Sequence, residues 1–271
     1  MLKQRIITAL WLLPLALFGF FGLEGHAFLA FVSSIIALAG WEWARLAGFA
    51  GQVQRVAYAA LTVAVLLLLN SSEALLMPVL YVAGVFWLLA IAMVVSFPAS
   101  IACWGGNVGK LLIGLVIIVP AGLGLYVLKN LPQGNMLILT LMLLVWGADI
   151  GAYFFGRTFG RRKLAPRVSP GKSWAGLFGG VVTSACIAAG LALYFAVPSA
   201  QWGWILLGAV IVVLFSVIGD LTESMFKRQM GIKDSSQLLP GHGGVLDRID
   251  SLTAAAPIFA LLLLLSGWTL P

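Results

Sequence analysis

A succession of apolar runs of about 18 to 22 residues, separated by polar or Gly/Pro punctuation, limits this chain to one kind of architecture. In lipid no water is present to satisfy backbone N–H and C=O groups, so segments of that length and composition cross as helices. The runs fall at about 5–23, 27–46, 54–70, 74–97, 109–129, 135–155, 174–197, 203–222 and 251–269. With 62% hydrophobic and 9% charged residues, the chain is also far more apolar than a soluble core requires. The expectation is an all-α, polytopic integral membrane protein of about nine transmembrane helices, forming a single transmembrane domain over 1–271. The opening MLKQRIITALWLLPLALFGFF has the basic start of a signal peptide, but its apolar run is long and no A-x-A site follows directly after it, so it reads as a retained first helix.

Charge gives the topology. The net charge of +7 would suggest nucleic acid in a soluble domain, but here its distribution matters more, and no nucleic-acid partner is expected. With a cytoplasmic N-terminus, Lys3, Arg5, Arg45, Arg55, Lys110, Arg157, Arg161, Arg162, Lys163, Arg167, Lys172, Lys227, Arg228, Lys233 and Arg248 fall on or near the cytoplasmic side. Of the sixteen basic residues, Lys129 alone falls outside. This is the bias the positive-inside rule asks of nine spans, and it makes the C-terminus external.

Two cytoplasmic stretches differ from the rest: GRTFGRRKLAPRVSPGKS (156–173) and ESMFKRQMGIKDSSQLLPGHGGVLDRID (223–250). They hold ten of the sixteen basic residues. With Asp149 and Asp220 at the ends of the preceding runs, their neighbourhood also holds six of the nine acids. The spans of 1–130 read as scaffold and residues 135–271 as the chemical half.

Asp220 and Glu223 are three apart at the cytoplasmic end of one run, and Asp247 and Asp250 are three apart at the start of the next. On helices each pair shares a face. Four acids at two neighbouring helix ends repel unless cations lie between them, and acids placed in a membrane usually face a polar cavity. They could pair with Lys227, Arg228 and Arg248 as a solvated salt-bridge belt. Alternatively, hard oxygen ligands beside several cations suit a divalent metal and a nucleotide phosphate. Upstream, Ser169-Pro170-Gly171-Lys172-Ser173 runs into an apolar helix start whose free N–H groups can receive phosphate oxygens. It is not a P-loop, because Pro166 stands where the first glycine belongs and no strand is apparent before it. Lys172 and Ser173 are the phosphate candidates; Arg161, Arg162 and Lys163 are explained by topology. His242, between glycines, is either structural or ligand-facing. Asp149 either lines the cavity or partners an arginine, and Glu42 and Arg45 in WEWARL look like a local helix-end pair. Cys103 and Cys186 have no metal spacing and read as packing residues.

Ser224 to Ser251, SMFKRQMGIKDSSQLLPGHGGVLDRIDS, resembles the signature of the CDP-diacylglycerol synthases, also called phosphatidate cytidylyltransferases. DIGAYFFGRTFGRRKLAPRVSPGKSWAG is similar to that family's upstream conserved block. In one departure, Ala175 stands where many relatives have an acid. The resemblance implies CMP transfer from CTP to phosphatidate with Mg2+, at the cytoplasmic face of the cell (inner) membrane. It also implies a second, monovalent cation such as K+ and a homodimer. On it, Asp220 and Asp247 are expected metal ligands, with Glu223 and Asp250 as further ligands or their supports. Asp220, Asp247 and Asp250, with Lys227 and Arg228, are the expected catalytic residues, and Lys172, Ser173, Lys233, Arg248 and His242 are expected at the phosphates of CTP or phosphatidate. Two rivals fit less well. CDP-alcohol phosphatidyltransferases space their last acids four apart and carry D-G-x-x-A-R, which is absent here. Transporters place such groups near the bilayer midplane, whereas these cluster at one face.

Overall fold

The computed structural model describes residues 2–267. In chain order the elements are α1 (Leu2–Leu17) with a π-helical turn (Phe18–Gly22), α2 (Gly25–Leu46), α3 (Gln52–Asn70), α4 (Glu73–Val95), the short α5 (Ile101–Trp104), α6 (Asn107–Asn130), and α7 (Gly134–Phe159). There follow β1 (Lys163–Ala165), β2 (Ser169–Ser173), α8 (Trp174–Tyr194), a 3-10 turn (Ser199–Gln201), α9 (Trp202–Gln229) and α10 (Leu246–Ser266). Each expected apolar run forms a helix within the described residues. Among the described residues eight helices are long and apolar enough to cross a membrane, and the first run gives a shorter apolar helix, Ile6–Gly22. Residues 268–271, and with them the expected external C-terminus, lie outside the described residues.

The expectation of a purely helical chain needs one correction. β1 and β2 pair antiparallel, Lys163 opposite Ser173 and Ala165 opposite Ser169, so a hairpin caps the approach to α8. The Ser-Pro-Gly-Lys-Ser stretch, expected as a flexed turn, is its second strand. Cys103 and Cys186 are also corrected: both thiols are free and exposed.

In lipid, helix association depends on close packing and on polar bonds between helices. The closest pair is antiparallel α7 and α8, joined through glycines. A Cβ on Gly151 would strike Thr183 and the Gly179 carbonyl, and one on Gly180 would lie 2.9 Å from the Ala148 carbonyl oxygen. Helix α10 is central, touching α9, α6, α4, α7 and α2. Its Ala254, Ala255, Ala256 and Ala260 are fully buried, which lets the neighbouring backbones approach. Trp43 donates to the Lys110 carbonyl at 2.7 Å and Tyr58 to the Leu111 carbonyl at 2.6 Å, tying α2 and α3 to α6. Large apolar side chains such as Leu10, Phe18, Leu89 and Phe178 face outward, as a lipid-facing surface requires.

Polar bonds also orient the bundle. Thr8 donates to the Pro240 carbonyl, whereas Lys129 donates to the Phe20 carbonyl and to Asn135 at the other end. Helix α1 therefore runs from the end that carries the 230–246 loop to the opposite end. The hairpin and that loop share one end, because Arg228 at the end of α9 donates to the Val168 carbonyl at 3.2 Å.

Candidate active site

The 230–246 loop is built around one carboxylate that lies about two hundred residues away in sequence. Glu42 is fully buried and accepts from the Ser235 and Ser236 hydroxyls at 3.1 and 2.6 Å, and from the N–H groups of Val245 and Leu246 at 3.0 and 2.6 Å. It thus serves the open N–H groups at the start of α10, where a negative charge is favoured. Glu42 and Arg45 do not pair with each other as the sequence suggested. Arg45 instead donates to the Ser235 carbonyl at 3.0 Å, so both residues grip the same loop. The glycines follow from this crowding. A side chain at Gly244 would collide with Ser235 Oγ and the Glu42 carboxylate, and Gly243, with φ +83°, holds a backbone conformation that disfavours other residues.

Asp247, in the first turn of α10, is the second hub. Its Oδ2 accepts from Gly244 N–H at 2.7 Å and from Ser235 N–H and Oγ at 2.9 and 3.0 Å. Its Oδ1 lies 2.7 Å from Lys227 Nζ, and the same ammonium is 2.9 Å from Glu223 Oε1. Lys227 and Glu223 are four apart on α9 and both buried, so of the alternative salt-bridge belt only Lys227 pairs with the acids, in a buried triad and not a solvated belt. Removing one member of such a set leaves an uncompensated buried charge, which costs about 3–5 kcal/mol.

One turn deeper on α9, Asp220 Oδ1 accepts from Ser224 Oγ at 3.2 Å, and Oδ2 lies 2.6 Å from Lys172 Nζ, which reaches down from β2. Asp250 approaches from α10, where Gly219 lets the α9 backbone press against the Asp250 carbonyl. Its Oδ1 accepts from Ser251 N–H at 2.7 Å, and the carboxylate lies within electrostatic range of Asp220, Lys227 and Lys172. Ser173 caps α8 by accepting from Gly176 N–H at 3.1 Å, while Trp174 N–H is taken by the Arg162 carbonyl. Below the hairpin lies a cavity of about 390 Å³ between α7, α8 and α9, lined among others by Asp149, Tyr153, Arg157, Lys172 and Ser173. Asp149 faces this cavity within electrostatic range of Lys172 and Asp220.

Asp220, Glu223, Lys227, Asp247, Asp250 and Lys172 are thus brought together, with Ser173 at the cavity rim. The other expected phosphate contacts lie further out. Lys233 is exposed, Arg248 is exposed and donates twice to the His242 carbonyl, and Arg228 bonds the Val168 and Ile232 carbonyls. His242 Nδ1 is buried with no hydrogen-bond partner, and the His242 backbone N–H closes the tight turn onto the Leu239 carbonyl.

Among the described residues no three His, Cys, Asp or Glu side chains form a ready metal-ligand group. Lysine ammonium groups hold the carboxylates instead, one at Asp220 and one between Glu223 and Asp247. The donor set nevertheless suits a hard cation. Its groups are carboxylate oxygens that already gather around positive charge, and Glu223 Oε2 is buried without any hydrogen-bond partner.

Fold and site together define an integral membrane protein whose carboxylates and cations meet at one end of a helix bundle, in a setting suited to phosphate chemistry. Residues 3–266 match the model of the Cytidylyltransferase family. The chain is 56% identical over 271 residues to the phosphatidate cytidylyltransferase of Pseudomonas aeruginosa, covering all of both chains. It is 41% identical to the protein of that name from Haemophilus influenzae, over 96% of this chain and 98% of the other. To that of Staphylococcus epidermidis it is 39% identical over 151 residues, 55% of this chain and 58% of the other. The chain belongs to the cytidylyltransferase family.

Proposed function

We propose that this chain transfers the CMP moiety of CTP to phosphatidate, giving CDP-diacylglycerol and pyrophosphate, a step of phospholipid synthesis. The observation that carries the reading is the pair of lysine–carboxylate clusters, Lys172 with Asp220 and Lys227 with Glu223 and Asp247, held side by side at the bundle end that also carries the basic hairpin. A phosphate oxygen of phosphatidate attacks the α-phosphorus of CTP; that P–O bond forms as the bond to the β-phosphate bridging oxygen breaks, and pyrophosphate leaves. Two polyanions must meet, so the main obstacle is charge repulsion. The partly exposed Lys172 can exchange its carboxylate for a phosphate oxygen, the buried Lys227 holds Glu223 and Asp247 in place, and Arg157 at the first cavity, with Lys233 and Arg248 further out, supplies more positive charge. Positioning and electrostatic stabilisation are the catalytic devices such a reaction asks of the protein.

Asp220, Glu223, Asp247 and Asp250 would hold Mg2+, with a monovalent cation such as K+ as a second occupant. Bound there, the metal would neutralise phosphate charge and polarise the P–O bonds. The membrane is the bacterial cell (inner) membrane. The chain crosses it nine times with its N-terminus and site facing the cytoplasm, and it works as a homodimer. The positive-inside distribution and the course of α1 support this topology.

The test supplies purified protein in detergent with labelled CTP, phosphatidate and Mg2+. A CDP-lipid should form, and omission of either substrate or chelation of the metal should abolish it. Absence of product across several divalent ions would sink the assignment. A C-terminal reporter found in the cytoplasm would contradict nine spans.

A further inference from the structure

The groove between α7, α8 and α9 contains a second, larger cavity. The first, of about 390 Å³, lies under Lys172 and Ser173. The second, of about 790 Å³, lies toward the opposite end of the same helices and α10, with Leu191, Phe195, Trp204, Gly208 and Leu262 among its walls. Among the described residues no Asp, Glu, Lys, Arg or His lines it, so it does not suit a nucleotide phosphate and does suit hydrocarbon. Between the two lies a compact plug of five buried residues: Leu144, Ala148, Ala188, Ala209 and Val213. Ala148 and Val213 line the first cavity, whereas Leu144, Ala188 and Ala209 line the second. Three of the five are alanines, and Ser184 fixes α8 beside the plug by donating to the Leu144 carbonyl at 2.8 Å.

The dimensions matter. Helix α8 has 21 residues, about 30 Å of rise, which matches the hydrocarbon thickness of a bilayer. Ser173 stands at its start, and Gly180, which lines the first cavity, lies about 10 Å further along the axis. One leaflet of hydrocarbon is about 15 Å deep. A membrane lipid whose phosphate sits at Lys172 therefore has more chain than the first cavity can accept in an extended form.

We propose that the two cavities form one acyl-chain channel, and that the plug sets how far a chain of the lipid substrate reaches into it. This rests on the lipid-phosphate reading above. The part of the chain near the glycerol lies in the first cavity, and the distal part crosses the plug into the second. Chain-length preference is thus set by small side chains at mid-depth, far from the charged groups that carry out the reaction.

Gly208 provides a clean probe, because a Cβ there meets nothing within 4 Å and the residue lines the second cavity. Gly208→Phe fills that space, and a helix interior favours the exchange in propensity. Gly190 is equally open, on α8, and lines neither cavity. The measurement is the ratio of kcat/KM for dioleoyl over dioctanoyl phosphatidate. Gly208→Phe should lower that ratio at least tenfold, and Gly190→Phe should keep it at the unsubstituted value. In parallel, phosphatidate carrying a photoreactive group at the chain end should label residues between Leu191 and Gly208 that line the second cavity. An unchanged ratio in Gly208→Phe, an equal fall in both variants, or label confined to the outward-facing Leu193 and Tyr194 would overturn the channel. If the unsubstituted protein makes no CDP-lipid from either chain length, the catalytic reading fails, and the position of the label alone decides whether the cavity holds acyl chains.

Discussion

The two segments that lead into α8 and α10 carry similar polar content but are built in opposite ways. The approach to α10 is a closed network in which Glu42 and Asp247 between them receive four backbone N–H groups and two hydroxyls, with Lys227 sealing the lower side. The approach to α8 is a short hairpin with exposed Arg161, Arg162 and Lys163, which reaches α9 through the partly exposed Lys172–Asp220 pair and through the Val168 carbonyl that accepts from Arg228. One end is preorganised and the other adjustable. For a reaction that joins two polyanions, this suggests that one component of the site is fixed while the other yields as substrates arrive.

Substitutions can break or sharpen that contrast. The largest effect is expected at Asp247→Asn, which removes the charge shared with Lys227; turnover should fall at least about a hundredfold. Lys227 keeps Glu223 as a partner, so the protein should still purify folded, and near-normal CDP-lipid formation would remove Asp247 from the site. Next comes Glu42→Ala, which strands donors in the core. Loss of stability should reach about 3 kcal/mol or more, read as a lower thermal midpoint in detergent, with kcat falling and KM changing little because α10 is misplaced and no substrate contact is lost. A midpoint within a degree of the parent would show that the network is not what holds the loop. Lys172→Ala should act the other way round. KM for one phosphate substrate should rise about tenfold while stability drops by less than about 1 kcal/mol, since the pair is partly exposed. The smallest effect belongs to Arg161→Ala, within about 0.5 kcal/mol in stability, with a change in rate that salt screens away. A large effect there would place the outer hairpin in direct contact with substrate.

Much of the fold was legible because membrane helices announce themselves by length and composition. Each apolar run became a helix, and the acids expected to converge, Asp220 with Glu223 and Asp247 with Asp250, do meet across α9 and α10. The hairpin was not legible. Its strands have three and five residues, and Pro170 and Gly171 lie in the second, where proline and glycine argue against a strand. Nor was the role of Glu42, because its partners at 235–246 are distant in sequence. A signal was nevertheless present: an acid within an apolar run is costly unless something buried answers it, and Arg45, three residues on, was too convenient a partner. The cavity residues Asp149, Tyr153 and Arg157 were visible as types, but only the glycine-mediated approach of α7 to α8 shows that they share a wall.

The central claim is that the two segments serve a single displacement at the α-phosphorus of CTP. It is tested most directly by following CTP labelled at the α- or the γ-phosphate with phosphatidate and Mg2+. The account predicts α-label in the lipid and γ-label released as pyrophosphate. Label from the γ-phosphate in the lipid, or no lipid label with any divalent ion, would contradict it.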